Sequence, residues 1–176
     1  MRDYLPIDVL IGFNPTEPVK LSSLAAPIDD SAIKSGMLIR KATGNIGGDS
    51  GTGFRPTADT DSAADVSFFF ALHDGDSHDV QAAGKLVGLD CSDQYVIRTG
   101  YFDAEGGTFD IDDPLTAGND GVLVLAGAGD VIVARVDAVG DESDGSFAYT
   151  GKMPSATNTK YLQVKTVQSG LTVPSP

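Results

Sequence analysis

From Ser35 onward the apolar residues come in short runs separated by Gly, Asp and Asn, at a spacing typical of sandwiches and barrels. The stretches SGMLIRKA (35–42), AGKLVGLD (83–90), DGVLVLAG (120–127) and AGDVIVARV (128–136) share one phrase. In each, a glycine or Gly-Asp turn precedes residues rich in Leu, Ile and Val, the order in which hairpin turns feed strands. DVSFFFALHDG (65–75) and QYVIRTGYF (94–102) also read as strands, because aromatic and β-branched side chains suit a pleated, half-buried surface. Helix signals are nearly absent. TDSAADVSFF (60–69) offers one helical turn capped by Asp61 or Ser62 before Val66 and Phe68 draw it into a strand. Residues 147–153 and 159–168 predict one or two closing strands after the acidic loop 140–146, and the final LTVPSP is expected to be loose.

Residues 1–35 have a different texture, with Pro6, Pro15, Pro18 and Pro27 among scattered apolar positions. Each proline restricts its own φ and the residue before it, which favours an extended arm over a compact subdomain. The arm is too apolar to hang free. Tyr4, Leu5, Ile7, Val9, Leu10, Ile11 and Phe13 need a surface, either the chain's own barrel or a neighbouring subunit. The run SFFF (67–70) adds Phe68, Phe69 and Phe70 to the candidate contact residues, since consecutive aromatics on a strand place rings on both faces. One face enters the core, and the other packs inside the chain or meets another one. The expected fold is all-β: a small β-barrel or sandwich over 36–139, with the extended N-terminal arm before it. The acidic loop, closing strands and short C-terminal tail follow over 140–176.

Composition narrows the function classes. The 176 residues carry 12 Lys and Arg against 25 Asp and Glu, a formal charge of −13. That charge repels phosphate backbones and anionic lipid surfaces, so neither direct nucleic-acid nor membrane binding is expected. A single cysteine, Cys91, cannot form an intramolecular disulfide, which suits synthesis in a cytoplasm. Asp3, Pro6 and Asp8 interrupt the N-terminal apolar run well short of a signal sequence or a membrane span.

Several motifs suggest chemistry and fall short of it. Gly48-Asp49-Ser50-Gly51 is the sequence around a trypsin-like nucleophile, but both histidines, His73 and His78, follow Ser50 and reverse the chain order of that triad. Five glycines in 44–53 predict a flexible loop instead. The loop ends in Gly53-Phe54 rather than the Gly-Lys-Ser/Thr of a phosphate cradle, and AGAGD (126–130) has Ile132 where a dinucleotide fingerprint has its third glycine. HDGDSHD (73–79) and FDIDDP (109–114) hold the residue types of a metal site, yet neither has EF-hand spacing, and both read as acidic turns. Asp90 and Asp93 beside Cys91 disfavour its thiolate. No catalytic residue, cofactor or metal is expected.

Taken together, SGMLIRKATG, VSFFFALHDG, AAGKLVGL and DPLTAGNDGVLVLAGAGDVIVARV resemble the capsid decoration, or cement, proteins of tailed bacteriophages. The most specific part is Asp113-Pro114-Leu115-Thr116 as a turn, then Asn119-Asp120-Gly121, then a returning strand from Gly129 to Ala134. The resemblance covers about 60% of the chain. It departs from the usual pattern in the long arm, in the glycine-rich 44–53 and in Ala134, where glycine is commoner. It implies a structural protein on the outer surface of the virion that binds the major capsid protein, often as trimers, and stabilises the shell without catalysis. A tail, fibre or adhesin-like β-domain recognising a host glycan or protein is the alternative expectation.

Overall fold

The computed structural model describes residues 8–12, 23–28, 32–63, 66–76, 80, 84–92, 95–103, 108–141, 160–167 and 171–174. The fold is all-β, as expected. Its strands are β1 (Asp8–Gly12), β2 (Ser23–Ala25), β3 (Leu38–Ile46), β4 (Asp49–Pro56), β5 (Phe68–Ala71) and β6 (Leu86–Asp90). They continue as β7 (Tyr95–Thr99), β8 (Pro114–Ala117), β9 (Leu123–Leu125), β10 (Ala134–Asp141) and β11 (Lys160–Thr166). Two antiparallel sheets result, one ordered β1-β7-β11-β10-β8-β9 and the other β2-β6-β5-β3-β4. The expected helical turn near Asp61 is a single 3-10 turn, Asp59–Asp61.

In both sheets a segment running on from one strand closes onto the edge strand on the far side. In the five-stranded sheet the chain leaves β2, turns a corner and runs along β4. There Phe54 donates its N–H to the Ala26 carbonyl at 2.8 Å, and its own carbonyl accepts from Ile28 N–H at 2.9 Å. In the six-stranded sheet the chain leaving β7 does the same to β9. Leu123 N–H donates to the Tyr101 carbonyl at 3.0 Å, and Asp103 N–H donates to the Leu123 carbonyl at 2.9 Å. Each closure is a parallel bridge in otherwise antiparallel sheets.

Side-chain alternation then separates two cores. Phe68 and Phe70 face the space between the sheets, with Leu38, Leu89, Ile97, Leu115, Leu123, Val136, Leu162 and Val164. Phe69 and Ala71 face the other way, into the curl of the five-stranded sheet, with Ile33, Ile39, Phe54, Val80 and Leu86. A run of aromatics is therefore what β5 requires, because it is the wall shared by both cores.

The expected flexible loop at Gly44–Gly53 is the outer half of a regular hairpin. Pairing runs unbroken from Ile39 opposite Pro56 to Ile46 opposite Asp49. Gly47 (φ 60°) and Gly48 (φ 94°) make the turn, with the positive φ pair of a type I′ connection. The other glycines serve by lacking a side chain. A Cβ on Gly44 would stand 2.7 Å from Ile28 Cγ2, and one on Gly53 would stand 2.6 Å from the Ala26 carbonyl oxygen. The composition that suggests backbone freedom is thus a requirement for close packing under Ile28.

Two further expectations change. Pro114–Thr116, expected as a turn, lies in β8; the turn precedes it at Asp112 (φ 70°), whose N–H donates to the Val136 carbonyl. Leu171–Pro174, expected to be loose, is pinned: Ile132 N–H donates to the Leu171 carbonyl (2.8 Å), Gly129 N–H to the Val173 carbonyl (3.0 Å), and Val173 N–H to the Asp130 carbonyl (3.0 Å). These bonds hold 129–132 outside the ladder, so β10 begins only at Ala134.

Gly53→Ala should lower stability by about 1–3 kcal/mol, because the new methyl meets backbone that cannot turn aside. Ser50→Ala, at an exposed position of the same strand, should stay within about 0.5 kcal/mol of the parent in urea unfolding.

Candidate functional site

The candidate contact residues are placed unevenly. Val9, Leu10 and Ile11 lie in β1, which pairs antiparallel with the chain's own β7 and carries a bulge between Val9 and Ile11. This part of the arm adds a strand to its own sheet. Tyr4, Leu5, Ile7 and Phe13 lie outside the described residues. Phe68, Phe69 and Phe70 are 5%, 4% and 0% exposed, so both faces of β5 are enclosed and no ring is left for another chain. Phe69 meets Phe54 edge to face at 5.3 Å, with Lys41 Nζ above both rings at 5.7 and 5.9 Å from their centres.

The acidic stretches do structural work. Asp74 accepts the Ser35 N–H at 2.7 Å, and Lys34 Nζ reaches Asp76 at 2.9 Å and Asp74 at 3.6 Å. The bond between Lys34 and Asp76 raises the ammonium pKa and lowers that of the carboxyl. Asp113 accepts the Asp110 N–H at 2.7 Å, closing the turn before β8. Among the described residues, no three His, Cys, Asp or Glu side chains converge on a metal position. His78 and Asp79 lie outside those residues. Ser50 occupies a ladder position opposite Asn45, a side chain that cannot take up a proton.

Cys91 lines a cleft of about 500 Å³ with Val66, Phe68, Asp90, Val131 and Ile132. Its thiol is buried, and burial, with the Asp90 charge second, raises its pKa well above the ordinary thiol range. It stays protonated at neutral pH and is a poor nucleophile there.

Two polar junctions were not legible in sequence. Asp61 is 3% exposed and gathers three partners. Its carboxylate accepts the Ala58 N–H at 2.9 Å and lies 2.8 Å from Arg40 Nε on β3 and 3.3 Å from Arg55 Nη2 on β4. The Arg40 Nε contact lacks a hydrogen-bonding angle, so its attraction is that of charge alone. Nearby, Asp59 and Asn119 clamp two loops together reciprocally. Asn119 N–H donates to Asp59 Oδ1 at 2.8 Å, Asp59 N–H donates to Asn119 Oδ1 at 3.1 Å, and the Asn119 amide donates to Asp59 Oδ2. Thr57 adds its hydroxyl to the Gly118 carbonyl at 3.0 Å. This seam joins the β4–β5 connection to the β8–β9 turn, one from each sheet. Its only sequence signal was the cap expected at Asp61 or Ser62.

Compared with protein-family models, with curated proteins and with solved structures, the chain finds no significant match. Among the described residues no helix is long and apolar enough to cross a membrane.

Asp61→Asn keeps the volume and removes the charge that Arg40 and Arg55 share. Loss of these charge-assisted contacts should cost about 2–3 kcal/mol, seen as a lower urea midpoint with an unchanged slope.

Proposed function

We propose that this chain is a structural virion protein that binds the outer surface of a phage capsid through the major capsid protein and stabilises the shell. The observation that carries the reading is where the resembling phrases fall. SGMLIRKATG, VSFFFALHDG, AAGKLVGL and DPLTAGNDGVLVLAGAGDVIVARV supply β3, β5, β6, β8, β9 and the start of β10. The likeness therefore spans strands that enclose both cores together with the turns that join them.

Physical chemistry supports the same reading. A charge of −13 suits a surface turned away from packaged genome. The apolar side chains left exposed among the described residues, Leu24, Ile111, Leu125 and Leu171, are single knobs suited to shallow contacts. The arm residues Tyr4, Leu5, Ile7 and Phe13 offer further apolar area, and burial contributes about 25 cal/mol per Å² before the cost of ordering. A homo-oligomer, a trimer in the resembling family, would engage several shell sites at once and add avidity.

The purified chain should co-sediment with expanded empty capsids at saturable stoichiometry, and deletion of 1–7, which leaves β1 in place, should weaken that binding while the fold still melts cooperatively. Failure to bind any capsid, together with retention on a host-glycan array, would replace this reading with that of an adhesin-like domain.

A further inference from the structure

Among the described residues the fold covers two of its sheet edges in part, β4 at Phe54 and β9 at Leu123. The outer half of the β3–β4 hairpin is an exception. β5 pairs with β3 over Leu38–Arg40, and the closing segment meets β4 at Phe54. Beyond those points the edges run on without a neighbour among the described residues.

Alternation fixes which backbone groups face outward. The Leu38 carbonyl accepts Thr57 N–H on the β4 side, so Arg40, Ala42, Gly44 and Ile46 also turn their N–H and C=O groups toward β4. Lys41, Thr43 and Asn45 turn theirs away from it. Strand edges are ordinarily guarded by proline, bulges or several charges. This one has no proline, an unbroken register and a single charge, Lys41.

Its side chains restrict what can pair. Lys41, Thr43 and Asn45 are exposed on one face, while Ala42 and Gly44 on the other lie low beside Ile46. Arg40 and Arg55 are taken up by Asp61, so the hairpin's remaining charges are Lys41, on the edge itself, and Asp49 beside the turn. We propose that the Lys41–Asn45 edge is an acceptor for an extended segment of another protein. That segment adds antiparallel to β3, alternates apolar with polar residues, and places an acidic side chain opposite Lys41. A second copy of this chain fits less well. Five residues of edge bury far less than the roughly 1,000 Å² a stable dimer needs, and copies of so acidic a chain repel one another. The assignment is independent of whether the donor belongs to a viral shell.

The test titrates the ¹⁵N-labelled full chain with a capped eight-residue peptide alternating valine with glutamate and threonine. The amides of Lys41, Thr43 and Asn45 should shift saturably, with those of Ser50 and Thr52 unaffected. Thr43→Pro removes one outward N–H and spares the β3–β4 ladder, so it should weaken binding about ten-fold, while Thr43→Val binds like the parent. Lys41→Glu provides a second arm and should reverse the preference toward a peptide with lysine in place of glutamate. Shifts confined to β1 or to Ser50–Thr52, or no saturable shift in the parent, would overturn the proposal. So would a parent dimer that Thr43→Pro dissolves, since the edge would then serve a second copy.

Discussion

Each curled sheet depends on one pair of backbone hydrogen bonds made by a segment that pairs at both of its ends. Residues 23–28 bond to β6 through β2 and then to Phe54 on β4. The stretch from β7 to Asp103 bonds to β11 and then to Leu123 on β9. A strand edge left open exposes donors and acceptors in a row, and a curled sheet left open also exposes its core. The closures answer both demands. They also explain the glycines at 44 and 53, because the segment carrying Ile28 can approach β4 only where no Cβ stands in its path.

The shared wall follows from that curl. Once the five-stranded sheet encloses its own core, the outer face of β5 remains available to the second sheet, and Phe68 and Phe70 fill that interface while Phe69 fills the enclosed one. The polar seam of Asp59, Asn119 and Thr57 joins the two sheets at the loops, and the Asp61 carboxylate ties β3 and β4 to the 3-10 turn that follows β4. Among the described residues the aromatic rings are buried, apart from the partly exposed Phe102 and Phe109, and what remains exposed is single apolar knobs and the backbone of a side-chain-poor hairpin.

Much of this was legible in the sequence where the signal was local. Glycine turns before Leu/Ile/Val runs located β3, β6 and β9, and SFFF announced a strand with rings on both faces. The misreadings were cases in which one residue pattern answers two physical needs. Glycine supplies backbone freedom at Gly47 and Gly48 but empty space at Gly44 and Gly53, and composition does not distinguish the two. Asp61 could be expected to cap a turn, and its three-way burial depends on Arg40 and Arg55 converging through a register set by the whole hairpin. The tail LTVP had no visible reason to be ordered, since its partners at 129–132 are some forty residues away. Of the candidate contacts, Phe68–Phe70 could be located in a strand, but whether their second face was filled from within depended on the curl.

Residue-resolved amide hydrogen exchange on the full chain is the most direct measure of the closures. If they hold the fold together, Phe54, Ile28, Leu123 and Asp103 should exchange as slowly as the amides of central β5 and β11, through global unfolding alone. Exchange at those four positions as fast as at an exposed hairpin amide such as Thr43, with β5 and β11 still protected, would show that the sheets stand without their closures and would contradict the account.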